Sequence, residues 1–183
     1  MKNAILLHGF NCTPDYFWFG WLRQELEGQG FTVTAPQLPN AENPNLEVWT
    51  AFALENLSFD ADSIIISHSA GCPLTLSILN RLNHPVRRAI LVAGFIRLDG
   101  MEDDNVMLLK EPDWDKIKNN GRDFFFFNTD NDPWGCDHKQ GEGLREKLGG
   151  TLIVQTGEGH FGSNKFKQAY PTFPLLKQIC LLS

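Results

Sequence analysis

A serine flanked by small residues, in the segment Ser67-His68-Ser69-Ala70-Gly71, directly follows an apolar run at residues 63–66. A β-branched run that ends in small residues and passes into a helical pattern predicts a strand, a sharp turn and a helix. Such a turn exposes the Ser69 hydroxyl and directs the N-terminus of the following helix toward it. Bulk at position 67 or 71 would collide with Ser69. We therefore interpret Ser69 as a candidate nucleophile.

Acidic residues and a histidine follow two later apolar runs. Asp130 and Asp132 lie in a turn after residues 123–127, and His160 lies between glycines after residues 151–155. A serine hydroxyl is a weak nucleophile at neutral pH, so a neutral imidazole has to accept its proton during attack. A buried carboxylate holds the required imidazole tautomer and stabilises the imidazolium that forms. The order serine, aspartate, histidine is that of the α/β-hydrolase triad, so the sequence predicts nucleophilic acyl transfer.

Two positions of this triad have alternatives. Asp132 is the preferred acid because Pro133 biases it toward an extended backbone that reaches toward His160. Asp130 stays open, either as the acid or as the residue that shapes the turn. His138, at the start of a predicted helix, is the one rival to His160 as the base. We expect activity to rise with pH as His160 loses its proton.

The oxyanion that attack creates needs two positioned N–H donors. The Ala70 N–H, at the start of the helix, is the first. The second is expected in the loop after the first strand, where the Phe10 N–H is preferred and that of Asn11 is the alternative. Phe10, Asn11, Trp134 and Phe161 are also the candidate walls of the substrate pocket, because they lie close to predicted catalytic positions in the sequence.

Apolar runs alternate with amphipathic stretches along the chain, which predicts an α/β fold. Six strands are predicted, at residues 4–7, 32–35, 63–66, 89–93, 123–127 and 151–155. Helices are predicted at residues 18–29, 46–57, 70–82, 114–119, 138–148 and 174–182. This alternation is typical of a three-layer, doubly wound, mostly parallel six-stranded sheet with active groups at the carboxyl ends of its strands.

Size and charge narrow the class of protein. The 183 residues are 42% hydrophobic, which predicts a single α/β-hydrolase domain at residues 1–183 with a sizeable core. A formal net charge of −6 provides no basic stripe for nucleic acid, and we expect no membrane binding. The N-terminal apolar stretch is too short for a signal peptide, so a cytoplasmic location is expected.

The four cysteines, Cys12, Cys72, Cys136 and Cys180, are far apart and show no metal-ligand spacing with histidines. We therefore expect reduced thiols, no metal and no cofactor. A thiol nucleophile is disfavoured because none of these cysteines lies on the predicted turn at Ser69. The expected partner is a small-molecule ester or amide substrate.

On these residues the chain resembles the small serine hydrolases of the retinoblastoma-binding protein nine family over nearly its whole length. The resemblance depends on the His8-Gly9 loop with Trp18-Phe19-Gly20-Trp21, the segment 67–71, Trp114-Asp115-Lys116-Ile117-Lys118, Asp132-Pro133 and Gly159-His160-Phe161. It implies a minimal α/β-hydrolase without a large cap domain. It also places the family's triad at Ser69, Asp132 and His160.

Two features depart from the family's pattern. Ser67 stands where the family's turn usually begins with glycine, and we expect the turn to form because serine is small. The family binds a pocket protein through a Leu-x-Cys-x-Glu segment, whereas Leu57-Ser58-Phe59-Asp60-Ala61 lacks the Cys and the Glu. We therefore expect no pocket-protein binding.

Together these residues predict a carboxylesterase-like serine hydrolase that cleaves small carboxylic esters or amides through an acyl-enzyme intermediate. The alternative is a non-catalytic protein-interaction module on a hydrolase scaffold. A complete set of nucleophile, acid and base argues against that alternative, because a protein that has lost catalysis commonly loses one of the three groups.

Overall fold

The computed structural model describes residues 2–183, and in them six strands alternate with six helices. The elements in chain order are β1 (Asn3–Leu7), α1 (Phe19–Glu27), β2 (Thr32–Thr34), α2 (Leu46–Asn56), β3 (Ser63–His68), α3 (Gly71–Arg81), β4 (Val86–Val92), α4 (Trp114–Asn119), β5 (Gly121–Thr129), α5 (His138–Leu148), β6 (Thr151–Gln155) and α6 (Pro174–Leu181). Each strand and helix predicted from the apolar pattern is confirmed, with ends that shift by a few residues.

The strands form one parallel sheet in the order β2-β1-β3-β4-β5-β6. This confirms the predicted α/β class and its doubly wound, parallel sheet. β4 and β5 are longer than predicted because polar residues continue the hydrogen-bond ladder beyond the apolar run. Arg88, for example, pairs with Ile64 on one side and with Asp123 on the other.

Helices cover both faces of the sheet, which makes three layers. One buried cluster packs α2, α3, α4 and α5 against the sheet, and a second packs α1 and α6 against its other face. The four-phenylalanine run in β5 serves both, since Phe126 is buried in the first cluster and Phe127 in the second. Burying a phenylalanine side chain stabilises a fold by about 1.5–3 kcal/mol, so this strand anchors both layers.

Across residues 2–183 the helices are too short or too polar to span a bilayer.

The turn between β3 and α3 brings the chain sharply around at Ser69. Ser69 has a φ of 53°, in the left-handed region, and its N–H donates to the carbonyl oxygen of Val92 at 2.9 Å. A Cβ at Gly71 would lie 2.5 Å from the carbonyl oxygen of Leu7 and 2.8 Å from that of His8. Only glycine therefore lets the start of α3 pack directly against the end of β1. The need for a small residue at position 71 was predicted, but the nearest atoms that a side chain would meet belong to the end of β1 and not to Ser69.

Replacing Gly71 by alanine should destabilise the fold through this contact. The methyl group would have to displace backbone atoms of β1, and overpacking of that kind costs about 1–3 kcal/mol of unfolding free energy. At Gly20, near the start of α1, an added methyl group would meet no atom within 4 Å. Gly20→Ala should therefore stabilise the helix by up to about 1 kcal/mol. Urea unfolding of both variants gives the comparison, and equal midpoints for Gly71→Ala and the wild type would contradict it.

Candidate active site

Three loops meet at the carboxyl edge of the sheet, because all six strands are parallel and end on that side. Ser69 follows β3, Asp132 follows β5 and His160 follows β6. Ser69 and His160 line one cavity of about 560 Å³. The sheet therefore gathers the hydroxyl, the imidazole and the carboxylate from positions far apart in the sequence, as expected for the carboxyl ends of strands in an α/β fold.

The imidazole of His160 is bound to the carboxylate of Asp132. Nδ1 of His160 lies 2.7 Å from Oδ2 of Asp132, and both side chains are almost completely shielded from solvent. The other carboxylate oxygen, Oδ1, accepts the backbone N–H of Trp134 at 2.8 Å. With the proton of Nδ1 committed to the carboxylate, the lone pair of Nε2 is available to accept a proton.

Asp130, the alternative acid, lies on the surface instead. Its Oδ1 accepts the backbone N–H of Gly157 at 2.9 Å, and this bond holds the pKa of Asp130 below its usual value. Its neighbour Asn131 accepts the N–H of Gly159 at 2.8 Å. Both residues therefore shape the loop that presents His160, which is the structural role that the sequence left open for Asp130.

His138, the alternative base, is the first residue of α5 and lies outside the residues that line the cavity.

The loop after β1 passes directly beside the turn at Ser69. A Cβ at Gly9 would lie 3.0 Å from the Cβ of Ser69 and 3.4 Å from the N of Ala70. His8 braces this loop, because its Nε2 accepts the N–H of Leu38 at 3.0 Å while Nδ1 is bonded to the Gly9 carbonyl oxygen. Burial holds the pKa of His8 below its usual value, which keeps the ring neutral for this pairing.

The two preferred oxyanion donors remain free of protein acceptors. The N–H of Asn11 donates to the carbonyl oxygen of Ala41 at 2.7 Å, which occupies the alternative donor. Within residues 2–183, neither the Phe10 N–H nor the Ala70 N–H is bonded to a protein acceptor. Ala70 is also the N-cap of α3, so the partial positive charge of the helix N-terminus adds to its N–H.

Three of the four predicted pocket residues, Phe10, Asn11 and Trp134, line the cavity, and Phe161 does not. The prediction for Phe161 is wrong because its side chain is fully buried in the core, where it stacks on Phe173 with ring centroids 5.1 Å apart. Its backbone has a φ of 55°, a conformation that adjacency to His160 does not reveal. The position of Phe161 next to His160 in the sequence suggested a pocket residue, but its side chain packs in the core instead.

One cavity wall was missed from the sequence. The long connection between β4 and α4 contributes apolar side chains, namely Phe95, Leu98, Met101, Val106 and Met107. Apolar residues scattered through an irregular connection at the carboxyl edge of the sheet are the signal that could have located it. These side chains make much of the cavity lining apolar.

One cluster in the described part of the chain has the spacing of metal ligands, and it coincides with the acid–base pair. Single ligand atoms of Asp132, Cys136 and His160 lie within 4.8 Å of one another. Burial, reinforced by the charge of Asp132, holds the pKa of the Cys136 thiol well above its usual value. A protonated thiol beside a carboxylate that already holds an imidazole is a poor donor set for a metal ion.

His68 and Gln168 are two further residues at the site whose roles the sequence did not reveal. Nε2 of His68 lies 2.8 Å from the carbonyl oxygen of His160. Oε1 of Gln168 accepts the N–H of His160 at 3.0 Å and that of Gly162 at 3.1 Å. Gln168 lies eight residues after His160 in the same connection between β6 and α6, and no spacing rule connects the two. The contact of His68 with His160 likewise joins residues 92 positions apart, so the sequence does not reveal it.

A family model described as "Serine hydrolase" matches residues 4–178, which is nearly the whole chain. Among curated proteins, YdeN of Bacillus subtilis (strain 168) is 29% identical over 99 residues. That alignment covers 52% of this chain and 52% of YdeN, so it spans about half the length of the relative.

Solved structures extend the likeness of fold to the rest of the chain. The crystal structure of the B. subtilis ydeN gene product superposes with a TM-score of 0.85 at 21% identity, covering 98% of this chain and 96% of that one. Est1E from Butyrivibrio proteoclasticus, with ferulic acid bound, superposes with a TM-score of 0.73 at 13% identity, covering 98% and 86%. At these identities the superpositions establish the α/β-hydrolase fold and no more.

The buried His68 makes stability depend on pH. Burial, reinforced by the neighbouring His160, lowers the pKa of His68 from 6.5 to about 3. Between these two values the unfolded chain binds a proton that the folded chain does not, so the free energy of unfolding falls as the pH is lowered. The slope from this group reaches up to about 1.4 kcal/mol per pH unit.

We expect His68→Gln to flatten the dependence of unfolding free energy on pH between about pH 6 and pH 4, because the titrating ring is gone. Urea unfolding at several pH values measures it. His84→Gln, in an exposed loop, is the matched control and should keep the wild-type slope. Identical slopes for His68→Gln and the wild type would contradict the neutral, buried state of His68.

Proposed function

The chain belongs to the serine hydrolase family, and we propose that it hydrolyses small carboxylic esters or amides through an acyl-serine intermediate at Ser69. The observation that supports this most is the buried hydrogen bond of 2.7 Å between His160 and Asp132, beside a cavity that Ser69 also lines. A carboxylate-bound imidazole that shares a cavity with a serine at a strand-to-helix turn supports activation of that hydroxyl for attack on a carbonyl carbon.

In the proposed first half-reaction, Oγ of Ser69 attacks the carbonyl carbon while Nε2 of His160 takes the hydroxyl proton. Asp132 stabilises the imidazolium that results. The tetrahedral oxyanion accepts hydrogen bonds from the N–H groups of Phe10 and Ala70, each worth about 3 kcal/mol of transition-state stabilisation. The proton on His160 then passes to the leaving alcohol or amine, and the acyl group remains on Ser69.

The second half-reaction repeats these steps with water. His160 takes a proton from the water molecule as its oxygen attacks the acyl-serine carbonyl. The tetrahedral intermediate collapses, the carboxylic acid leaves and the proton returns to Ser69. A protonated His160 cannot accept a proton in either half, so activity should fall as the pH is lowered.

The shape of the cavity supports an apolar acyl group. About 560 Å³ is enough for a small molecule, and Phe95, Leu98 and Met107 form an apolar wall within it. Est1E, which shares the fold, binds ferulic acid, a small aromatic acid. We therefore place an uncharged aliphatic or aromatic acyl chain against this wall, with its carbonyl group at Ser69.

Two finer assignments are proposals of the same kind. The motifs shared with the retinoblastoma-binding protein nine family support a place in that subgroup, without its pocket-protein binding because residues 57–61 lack the required Cys and Glu. A cytoplasmic location is proposed from the sequence. The alternative of a non-catalytic interaction module predicts no turnover at all, so a test of hydrolysis separates the two classes.

Matched substitutions at the two aspartates test the proposed acid. Asp132→Asn removes the carboxylate that holds His160, and it should lower kcat for a p-nitrophenyl ester by about 10³- to 10⁴-fold. Asp130→Asn removes the same charge from an exposed turn but keeps an oxygen for the Gly157 N–H. It should stay within about threefold of the wild type.

Ser69→Ala in the same assay should abolish turnover while leaving the melting temperature near that of the wild type. Retained hydrolysis in Ser69→Ala would overturn the proposed nucleophile, and equal losses in the two aspartate variants would overturn the assignment of the acid.

A further inference from the structure

His68 is connected to both residues of the proposed proton transfer, Ser69 and His160. It is the last residue of β3 and is covalently linked to Ser69. Its Nε2 also lies 2.8 Å from the carbonyl oxygen of His160, which is 92 positions away in the sequence. Because a carbonyl oxygen can only accept, Nε2 of His68 is the donor in this bond. The same side chain therefore connects the strand that presents the hydroxyl to the loop that presents the imidazole.

Aromatic rings fix the orientation of the His68 ring. Phe17, Trp18 and Phe19 contact it edge-on, with ring centroids 6.0 to 6.4 Å away. Nε1 of Trp18 donates in turn to the carbonyl oxygen of Phe161 at 3.0 Å. The segment that leads into α1 thus packs on His68 and holds the loop just after His160. The ring has little freedom to rotate away from the His160 carbonyl.

The environment of the other ring nitrogen of His68, Nδ1, indicates that this residue does not serve mainly to stabilise the fold. Nδ1 is buried and has no hydrogen-bond partner within residues 2–183. A buried acceptor without a partner costs about 1–3 kcal/mol, and an apolar side chain of similar shape would avoid that cost. His68 therefore contributes one hydrogen bond to the fold and leaves one buried nitrogen unpaired. An apolar residue would fill the same space without that cost.

We propose that His68 is a positioning residue for hydrolysis, which holds the backbone of His160 so that Nε2 of His160 stays aligned with Ser69. This inference rests on the proposed function. Gln168 completes the restraint from the other side, because its Oε1 accepts the His160 N–H. The backbone N–H, the backbone carbonyl and Nδ1 of His160 are then all bonded, and among residues 2–183 no hydrogen-bond partner holds Nε2, the atom that moves the proton.

The neutral state of His68 suits this role. Its ring centroid lies 4.9 Å from that of His160, which carries a positive charge in the proposed transition state. A neutral ring donates its hydrogen bond without placing a second positive charge beside the imidazolium. A lysine or arginine at position 68 could also donate to the carbonyl oxygen, but it would repel the imidazolium at this separation.

Three variants separate positioning from simple structural support. His68→Leu removes the donor to His160, whereas the amide of His68→Gln can restore it. Leu26→Ala leaves a cavity at a fully buried position in the core cluster that contains Trp18 and Phe19. Leu26 does not line the active-site cavity, so this variant is the control for lost stability. Kinetics with a p-nitrophenyl ester are measured from pH 5 to 9, well below the melting temperature of each variant.

We expect His68→Leu to lower kcat by about 10- to 100-fold, because small misplacements of a catalytic group have effects of that size. KM should change by less than about twofold, and His68→Gln should recover kcat to within about threefold of the wild type. Leu26→Ala should lower the melting temperature and leave kcat unchanged. If His68→Leu does not fold, His68→Asn replaces it, since the shorter amide cannot reach the His160 carbonyl.

Proton NMR of the hydrogen-bonded His160 Nδ1–H gives a readout that does not need turnover. Its downfield signal should shift or broaden in His68→Leu and return in His68→Gln. An unchanged kcat and signal in His68→Leu, or a His68→Gln variant as impaired as His68→Leu, overturns the proposal. If the wild type hydrolyses no ester, the proposed function fails, and the NMR comparison still decides whether His68 positions His160.

Discussion

The buried hydrogen bond between Nδ1 of His160 and Oδ2 of Asp132 is the interaction on which the site depends. It forms because β5 and β6 are adjacent, parallel and end at the same edge, so their following loops have to meet. An isolated carboxylate in this shielded position would carry a large desolvation penalty. The imidazole and the Trp134 N–H remove that penalty, and the same contacts select the tautomer that can accept a proton at Nε2.

The turn after β5 holds both the loop that carries His160 and the imidazole ring of His160. Thr129 donates its hydroxyl to the Gly159 carbonyl oxygen at 2.6 Å, and Asp130 and Asn131 accept backbone N–H groups of the same loop. Asp132 then reaches the imidazole itself. The side chains of residues 129–131 therefore hold the loop that carries His160, and Asp132 binds the imidazole ring. This explains why the acidic turn contains only one buried carboxylate.

The sequence was sufficient for features that depend on local pattern. Parallel strands follow from apolar runs, and the turn at Ser69 follows from small residues that permit the close approach at Gly71. Features that depend on the direction of a side chain or on distant contacts could not be predicted. Phe161 turns into the core at a left-handed backbone position, Gln168 folds back onto His160 within the same connection, and the apolar wall at Phe95 and Met107 belongs to an irregular connection.

Locating the acyl group during turnover identifies the nucleophile. The protein is mixed with a p-nitrophenyl ester, quenched in acid within the first turnover, digested and mapped by mass spectrometry. We expect an acyl group on Ser69, and none on any residue of the Ser69→Ala variant. An acyl group on Cys12 or Cys136, or release of p-nitrophenol with no acylated peptide, would contradict it.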